Sequence, residues 1–133
     1  MNKNKIVARF NDGRVMKGFT DNLNPDLPYF MLSPAGGQGK PVAIDILQLK
    51  AIFFVRDFAG SRLRKDRSNF AEKQEYQGRR IEVQFKDGEK FIGSTACYGP
   101  EMRGFFIFPA DTESNTIKVF AVAGSVKSVR WLN

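Results

Sequence analysis

Residues 6–35 read IVARFNDGRVMKGFTDNLNPDLPYFMLSPA, and residues 81–110 read IEVQFKDGEKFIGSTACYGPEMRGFFIFPA, aligned without a gap at an offset of 75. Identical pairs run the length of the match: Ile6/Ile81, Phe10/Phe85, Asp12/Asp87, Gly13/Gly88, Gly18/Gly93, Thr20/Thr95, Pro25/Pro100, Phe30/Phe105, Pro34/Pro109 and Ala35/Ala110. After two extra residues in the second copy, the likeness resumes between LKAIFFV (49–55) and VKSVRWL (126–132). Self-similarity at a fixed spacing marks a duplicated structural unit. The expected organisation is a first repeat over 1–58, a basic linker over 59–79 and a second repeat over 80–133.

Each copy opens with an alternating strand: Ile6, Ala8 and Phe10 in the first, Ile81, Val83 and Phe85 in the second. Each strand then meets Asp-Gly, in NDGR (11–14) or KDGE (86–89), the strongest local signal for a hairpin. The returning strands VMKGFT and KFIGST carry Gly18 and Gly93 inside them, where the absence of a side chain permits a bend or a close backbone approach. The runs YFML (29–32) and FFIF (105–108) show no alternation, as in strands covered on both faces. PVAIDI and IKVFAV supply fourth strands, and LKAIFFV and VKSVRWL supply fifth strands after a very short connection. Within the linker, SNFAEKQEY favours a short helix, while MNKN at the start and residues 61–67 are expected to be disordered.

Units of about 50 residues bury only about 60% of their unfolded surface, so two copies gain by packing together or associating with others. Thirteen phenylalanines are ample for two small cores. The single cysteine allows no internal disulfide, and the absence of histidine removes the commonest general base and metal ligand together. No cofactor, metal site or small-molecule substrate is expected, and no enzymatic activity. With no long apolar run and no charged-then-apolar leader, the expectation is a soluble bacterial-type cytoplasmic protein without membrane association.

The order of strand, Asp-Gly hairpin, glycine-bent strand, long strand and tight turn before the last strand resembles the Sm-like small β-barrel, of broad SH3-type topology. The most specific piece is IEVQFKDGEKFIGST. That resemblance implies an all-β fold of two tandem five-stranded Sm-like barrels. The complete two-copy chain, with its PYFMLSPA and GFFIFPAD blocks, is also similar to an uncharacterised bacterial domain family with no assigned activity. Sm-like RNA binders carry Asp and Asn around an apolar residue after the bent strand, and Arg-Gly or Lys-Gly before the last. Here those loops read NLNPDLPY, CYGPEMRG, DILQLK and AVAGSV, so the uridine-binding residues are missing.

Other motifs carry simpler readings. Asp12 and Asp87 occupy equivalent positions but read as turn residues, because an acid–base pair needs apposition in a cleft. Cys97 has no histidine to activate it and reads as an incidental thiol, although Arg103 lies nearby in sequence. AGGQGK lacks phosphate-loop spacing, and Asp111, Glu113 and Asn115 lack the calcium-loop Gly and terminal Glu. The signature of cyclic-dinucleotide-binding PilZ barrels is absent: Arg62 finds Asp66, and Arg64 finds Ser68, where a second Arg is required.

Two functional readings remain. Residues 56–80 hold eight Lys/Arg against four Asp/Glu, over half of the net charge of +7. Arg56, Arg62, Arg64, Lys65, Arg67, Arg79 and Arg80, interleaved with Phe58, Phe70 and Tyr76, form a candidate nucleic-acid or anion contact. The other reading is a binding or assembly module acting through protein contacts or self-association. Its candidate partner edge is Phe53, Phe54, Arg130 and Trp131 on the fifth strands, unless the first copy's edge pairs with the second copy's. Fluorescence anisotropy with short single-stranded RNA and DNA at two salt concentrations separates them. The protein-contact reading expects no binding; the nucleic-acid reading expects binding that falls steeply with salt and is lost when Arg62, Arg64, Lys65 and Arg67 become Ala.

Overall fold

The Asp-Gly turns form as their chemistry dictates. Gly13 and Gly88 take φ of +94° and +96°, a left-handed conformation open to glycine without steric cost. The Phe10 N–H donates to the Arg14 carbonyl at 2.9 Å and the Phe85 N–H to the Glu89 carbonyl at 2.8 Å, closing both hairpins. Asp12 and Asp87 each accept the N–H two residues on at 3.0 Å, an Asx turn that satisfies the tip.

The computed structural model describes residues 4–21, 23–36, 39–59, 78–99, 102–111 and 113–132. The first half holds β1 (Asn4–Phe10), β2 (Val15–Thr20), β3 (Tyr29–Pro34), β4 (Val42–Asp45) and β5 (Leu49–Val55). The second holds β6 (Arg79–Phe85), β7 (Lys90–Thr95), β8 (Gly104–Pro109), β9 (Thr116–Val122) and β10 (Val126–Trp131). A single 3-10 turn, Ile46–Gln48 or Ala123–Ser125, makes the short connection before each fifth strand. The candidate linker helix and the basic residues 61–67 fall outside the described residues. Asn4, expected to be disordered, is instead paired with Thr20 at the start of β1.

The strands form one open antiparallel sheet in the order β10-β6-β7-β8-β9-β5-β1-β2-β3-β4. Each half repeats the order fifth, first, second, third, fourth. The two separate barrels expected from the sequence are not what the hydrogen-bond ladder forms. Rather than meeting its own fourth strand, β5 pairs with β9 of the other half, with Ile52 opposite Phe120, Phe53 opposite Val119 and Phe54 opposite Lys118. Phe53 and Phe54 therefore lie mid-sheet and are not a free edge. The alternative in which one copy's edge pairs with the other's is the one observed.

This joint has both faces buried. On one face Ile52, Phe54, Phe120 and Val122 join Ile6, Ala8 and Leu32 in the first core. On the other, Ala51, Val119 and Ala121 join Ile81, Val83 and Phe85 in the second, with Phe53 packed against it. Each fully buried large apolar side chain contributes roughly 1.5–3 kcal/mol, so the pairing supplies much of what neither small half has alone. The same joint explains a difference between the copies. In β8 both faces are covered, as the run FFIF suggests, because Phe106 packs against the first core. Its counterpart β3 has no such cover, and Tyr29 and Met31 stand 57% and 50% exposed.

Gly18 and Gly93 mark the corners. At each, the second strand pairs with the third over only two residues, and a Cβ would collide with the Ser33 or Phe108 carbonyl oxygen. No helix among the described residues is long and apolar enough to cross a membrane. Gly93→Ala is expected to cost roughly 1–3 kcal/mol of stability, measured as a lower urea midpoint. Gly124→Ala, where a Cβ meets open space, should change stability by less than about 0.5 kcal/mol.

Candidate functional site

The joint between the halves creates two clefts. The first, of about 640 Å³, lies where the hairpin tips converge and is lined by Asp12, Lys50, Lys86, Asp87 and Ser125 among others. Sequence reasoning expected the hairpin tips not to share a cleft, and Asp12 and Asp87 nonetheless line the same one. Lys50, 9% exposed, reaches from β5 across the joint to Asp87 Oδ2 at 2.8 Å and to Glu89. Its Nζ also lies 4.8 Å from the Phe85 ring centroid. Burial pushes the Lys50 pKa down, but hydrogen bonds and charge from Asp87 and Glu89 outweigh it, and the net shift is upward.

The bond from Lys50 holds the Asp87 carboxyl below the ordinary range, helped by the Glu89 N–H. Asp12 is lowered chiefly by the Arg14 N–H, and its carboxylate also pairs with the Arg14 guanidinium at 2.8 Å. An acid–base pair needs two groups whose environments push their pKa values apart. These two are both pushed down, and Lys50 with Asp87 and Glu89 forms a clasp across the joint. Buried Ser125 completes it, its hydroxyl donating to the Leu49 carbonyl at 2.8 Å.

The second cleft, of about 580 Å³, has a different character. Pro25 and Asp26 of the β2–β3 loop face Ala96, Cys97, Met102 and Arg103 of the β7–β8 loop, and its walls are Phe105, Phe106 and Phe108 of β8 with Lys118 and Phe120 of β9. Phe106 meets Phe120 at 5.1 Å between centroids and Phe54 at 6.0 Å. The Lys118 ammonium sits 4.8 Å from the Phe106 ring centroid and 4.9 Å from that of Phe54. Gly104 makes this wall possible: a Cβ there would strike the Phe120 ring and the Ala121 carbonyl. The first copy carries Tyr29 at the matching position. Cys97, exposed, lies at the mouth.

The residues singled out in the sequence are scattered. Arg62, Arg64, Lys65 and Arg67 lie outside the described residues. The Arg56 guanidinium donates to the Ser114 carbonyl at 3.1 Å, and Asn115 clasps the backbone of Asp57, so this region fastens the joint. Asp111 is buried rather than solvated, and its carboxylate accepts the Glu113 N–H. Arg79 stacks on Trp131 at 4.0 Å, Arg80 lies opposite Ser94 in the ladder, and Arg130 pairs with Glu82 at 3.2 Å. Arg79, Arg130 and Trp131 are thus gathered at the β6–β10 end of the sheet. Among the described residues, no group of three His, Cys, Asp or Glu is placed to hold a metal ion.

Sequence reasoning missed Lys118, Phe120 and Gly104 as a group. The signals were there: one lysine inside the otherwise apolar IKVFAV, and a glycine replacing Tyr29.

Over residues 2–133 the chain matches the profile of a family described as a family of unknown function (DUF6982). No curated protein and no solved structure matches it.

The clasp predicts a pH dependence. Asp87 is depressed, so its contribution to stability is present above the ordinary carboxylate value of 3.8 and is lost as pH falls through its lower folded value. Lys50 is raised, so its contribution holds below 10.5 and is lost as pH rises through its folded value. Lys50→Met should therefore narrow the gap in unfolding free energy between neutral pH and strongly acidic pH, read from urea titrations at both.

Proposed function

We propose that this chain, which belongs to the DUF6982 family, is a non-enzymatic binding module of two Sm-like halves, working in the bacterial cytoplasm through protein contacts. The Sm-like assignment is supported by the strand order shared by both halves and by the glycine corners at Gly18 and Gly93. The observation that carries the functional reading is the open end of the sheet. Among the described residues β10 has β6 on one side and no strand on the other, so its outer N–H and C=O groups are offered to an added strand.

Of the two ends, β10 is the better acceptor. It has six residues against four in β4, and β4 follows Pro41, which has no N–H to offer. Trp131, 37% exposed, and half-buried Val129 supply apolar contact beside Arg79 and Arg130. The internal joint supports this reading by analogy: there β5 takes an antiparallel strand that contributes apolar residues to both faces.

A second copy of this chain is a poor occupant. In the joint, Lys50 meets Glu89; the matching contact between two chains would set Lys127 against Arg14. Likewise Arg130 replaces Phe53, Ser128 replaces Ala51 and Asp45 replaces Val122. Charged side chains on free edges discourage repetition of an interface that is apolar inside the molecule. The partner is therefore a different protein presenting an extended apolar segment with acidic residues for Arg79 and Arg130.

A photo-crosslinking amino acid in place of Ser128, activated in cells, is expected to give a discrete adduct with another protein, lost when Trp131→Asp is added. No discrete adduct, or one indifferent to Trp131→Asp in a folded variant, would overturn the reading. So would steady turnover of a substrate by the purified protein.

A further inference from the structure

The aromatic cleft has no part in strand addition. Its volume of about 580 Å³ falls in the roughly 300–1,000 Å³ range of small-molecule sites. Its walls are largely aromatic, and Asp26, Arg103 and Lys118 are the charged residues in the described lining. Lys118 is half-buried there, and its ammonium is held over the Phe106 and Phe54 rings, with no carboxylate in ion-pair contact among the described residues. Arg103, on the loop opposite, is exposed, and its guanidinium is likewise in no ion pair. Asp26 is the carboxylate among the lining residues and pairs with neither. Among the described lining residues, two cations stand against one anion.

A half-buried ammonium loses part of its hydration, and aromatic faces restore only part of it. A lysine half-buried against aromatic rings gains most when an anion is brought to it. The walls, meanwhile, favour an apolar body.

We propose that this cleft binds an amphipathic anion: a carboxylate carrying an aliphatic or aromatic body. The body lies on half-buried Phe106 and Phe108, and the carboxylate accepts hydrogen bonds from the Lys118 Nζ and the Arg103 guanidinium. Gly104 keeps the site in the second half, since Phe120 can lie flat against the chain only where residue 104 has no Cβ. The first half, with Tyr29 there, has no equivalent wall.

The chain's one cysteine provides the readout, because Cys97 is exposed at the mouth of the cleft. The full-length protein is alkylated with iodoacetamide in the presence of decanoate, decyltrimethylammonium or acetate, each below its micelle concentration. Decanoate is expected to slow Cys97 alkylation in a saturable way, the cationic amphiphile and acetate far less. Calorimetry on the same solutions should give a matching affinity. Lys118→Gln should weaken decanoate roughly tenfold or more, the scale of a lost hydrogen bond to a charged group, each variant's protection being read against its own rate without ligand. If Lys118→Gln does not fold, Arg103→Gln on the exposed loop carries the test by itself. Absence of protection by decanoate, equal protection by decyltrimethylammonium, or undiminished affinity in the folded variants would each overturn the proposal.

Discussion

The structure depends on the pairing of β5 with β9. A five-stranded half leaves two strand edges open and too little apolar surface buried to stand firmly by itself. Joining the fifth strand of one half to the fourth strand of the other addresses both problems in one contact. The backbone groups of β5 and β9 find partners, and each strand lends one face to each core. Phe120 and Val122 complete the first core and Ala51 the second, so the halves are filled by one another. The Lys50 clasp and the Ser125 hydroxyl secure one side of this joint, and Asn115 with Asp57 another.

Much of the fold was legible in the sequence. The alternation in residues 6–10 and 81–85, the Asp-Gly tips and the in-strand glycines are local signals, and local signals determine strands, hairpins and corners. What was not legible is which edge meets which. LKAIFFV reads alike whether it closes its own barrel or pairs with a strand some seventy residues away. The two outcomes differ only in long-range geometry. The runs YFML and FFIF read alike too, yet only the second is covered on both faces, because the cover comes from the other half.

The candidate site divides the same way. Arg130 and Trp131 could be named from sequence as residues of the last strand and Arg79 only as part of a basic linker; the structure puts Arg79 at the start of β6 and gathers all three at one end of the sheet. Phe53 and Phe54 could not be told from edge residues until β9 was seen beside them. The aromatic cleft was invisible because it needs loops and strands from both halves. Its determining residue, Gly104, matters through what it omits. Asp12 and Asp87 were rightly read as turn residues, but their convergence on one cleft follows from the joint and from no feature of either hairpin.

Duplicated halves commonly diverge where their surroundings diverge, and the fifth strands record this. In the interior copy, positions 51 and 53 are Ala and Phe; at the rim, the matching positions 128 and 130 are Ser and Arg. The interior sequence has a cost during synthesis. LKAIFFV leaves the ribosome well before its counterpart over 116–122 has been made, and until then its β-forming, nearly uncharged surface is uncovered. The span in which the nascent chain is most prone to aggregate is therefore set by the distance between the two strands of the joint, and lengthening the segment between the repeats would extend it.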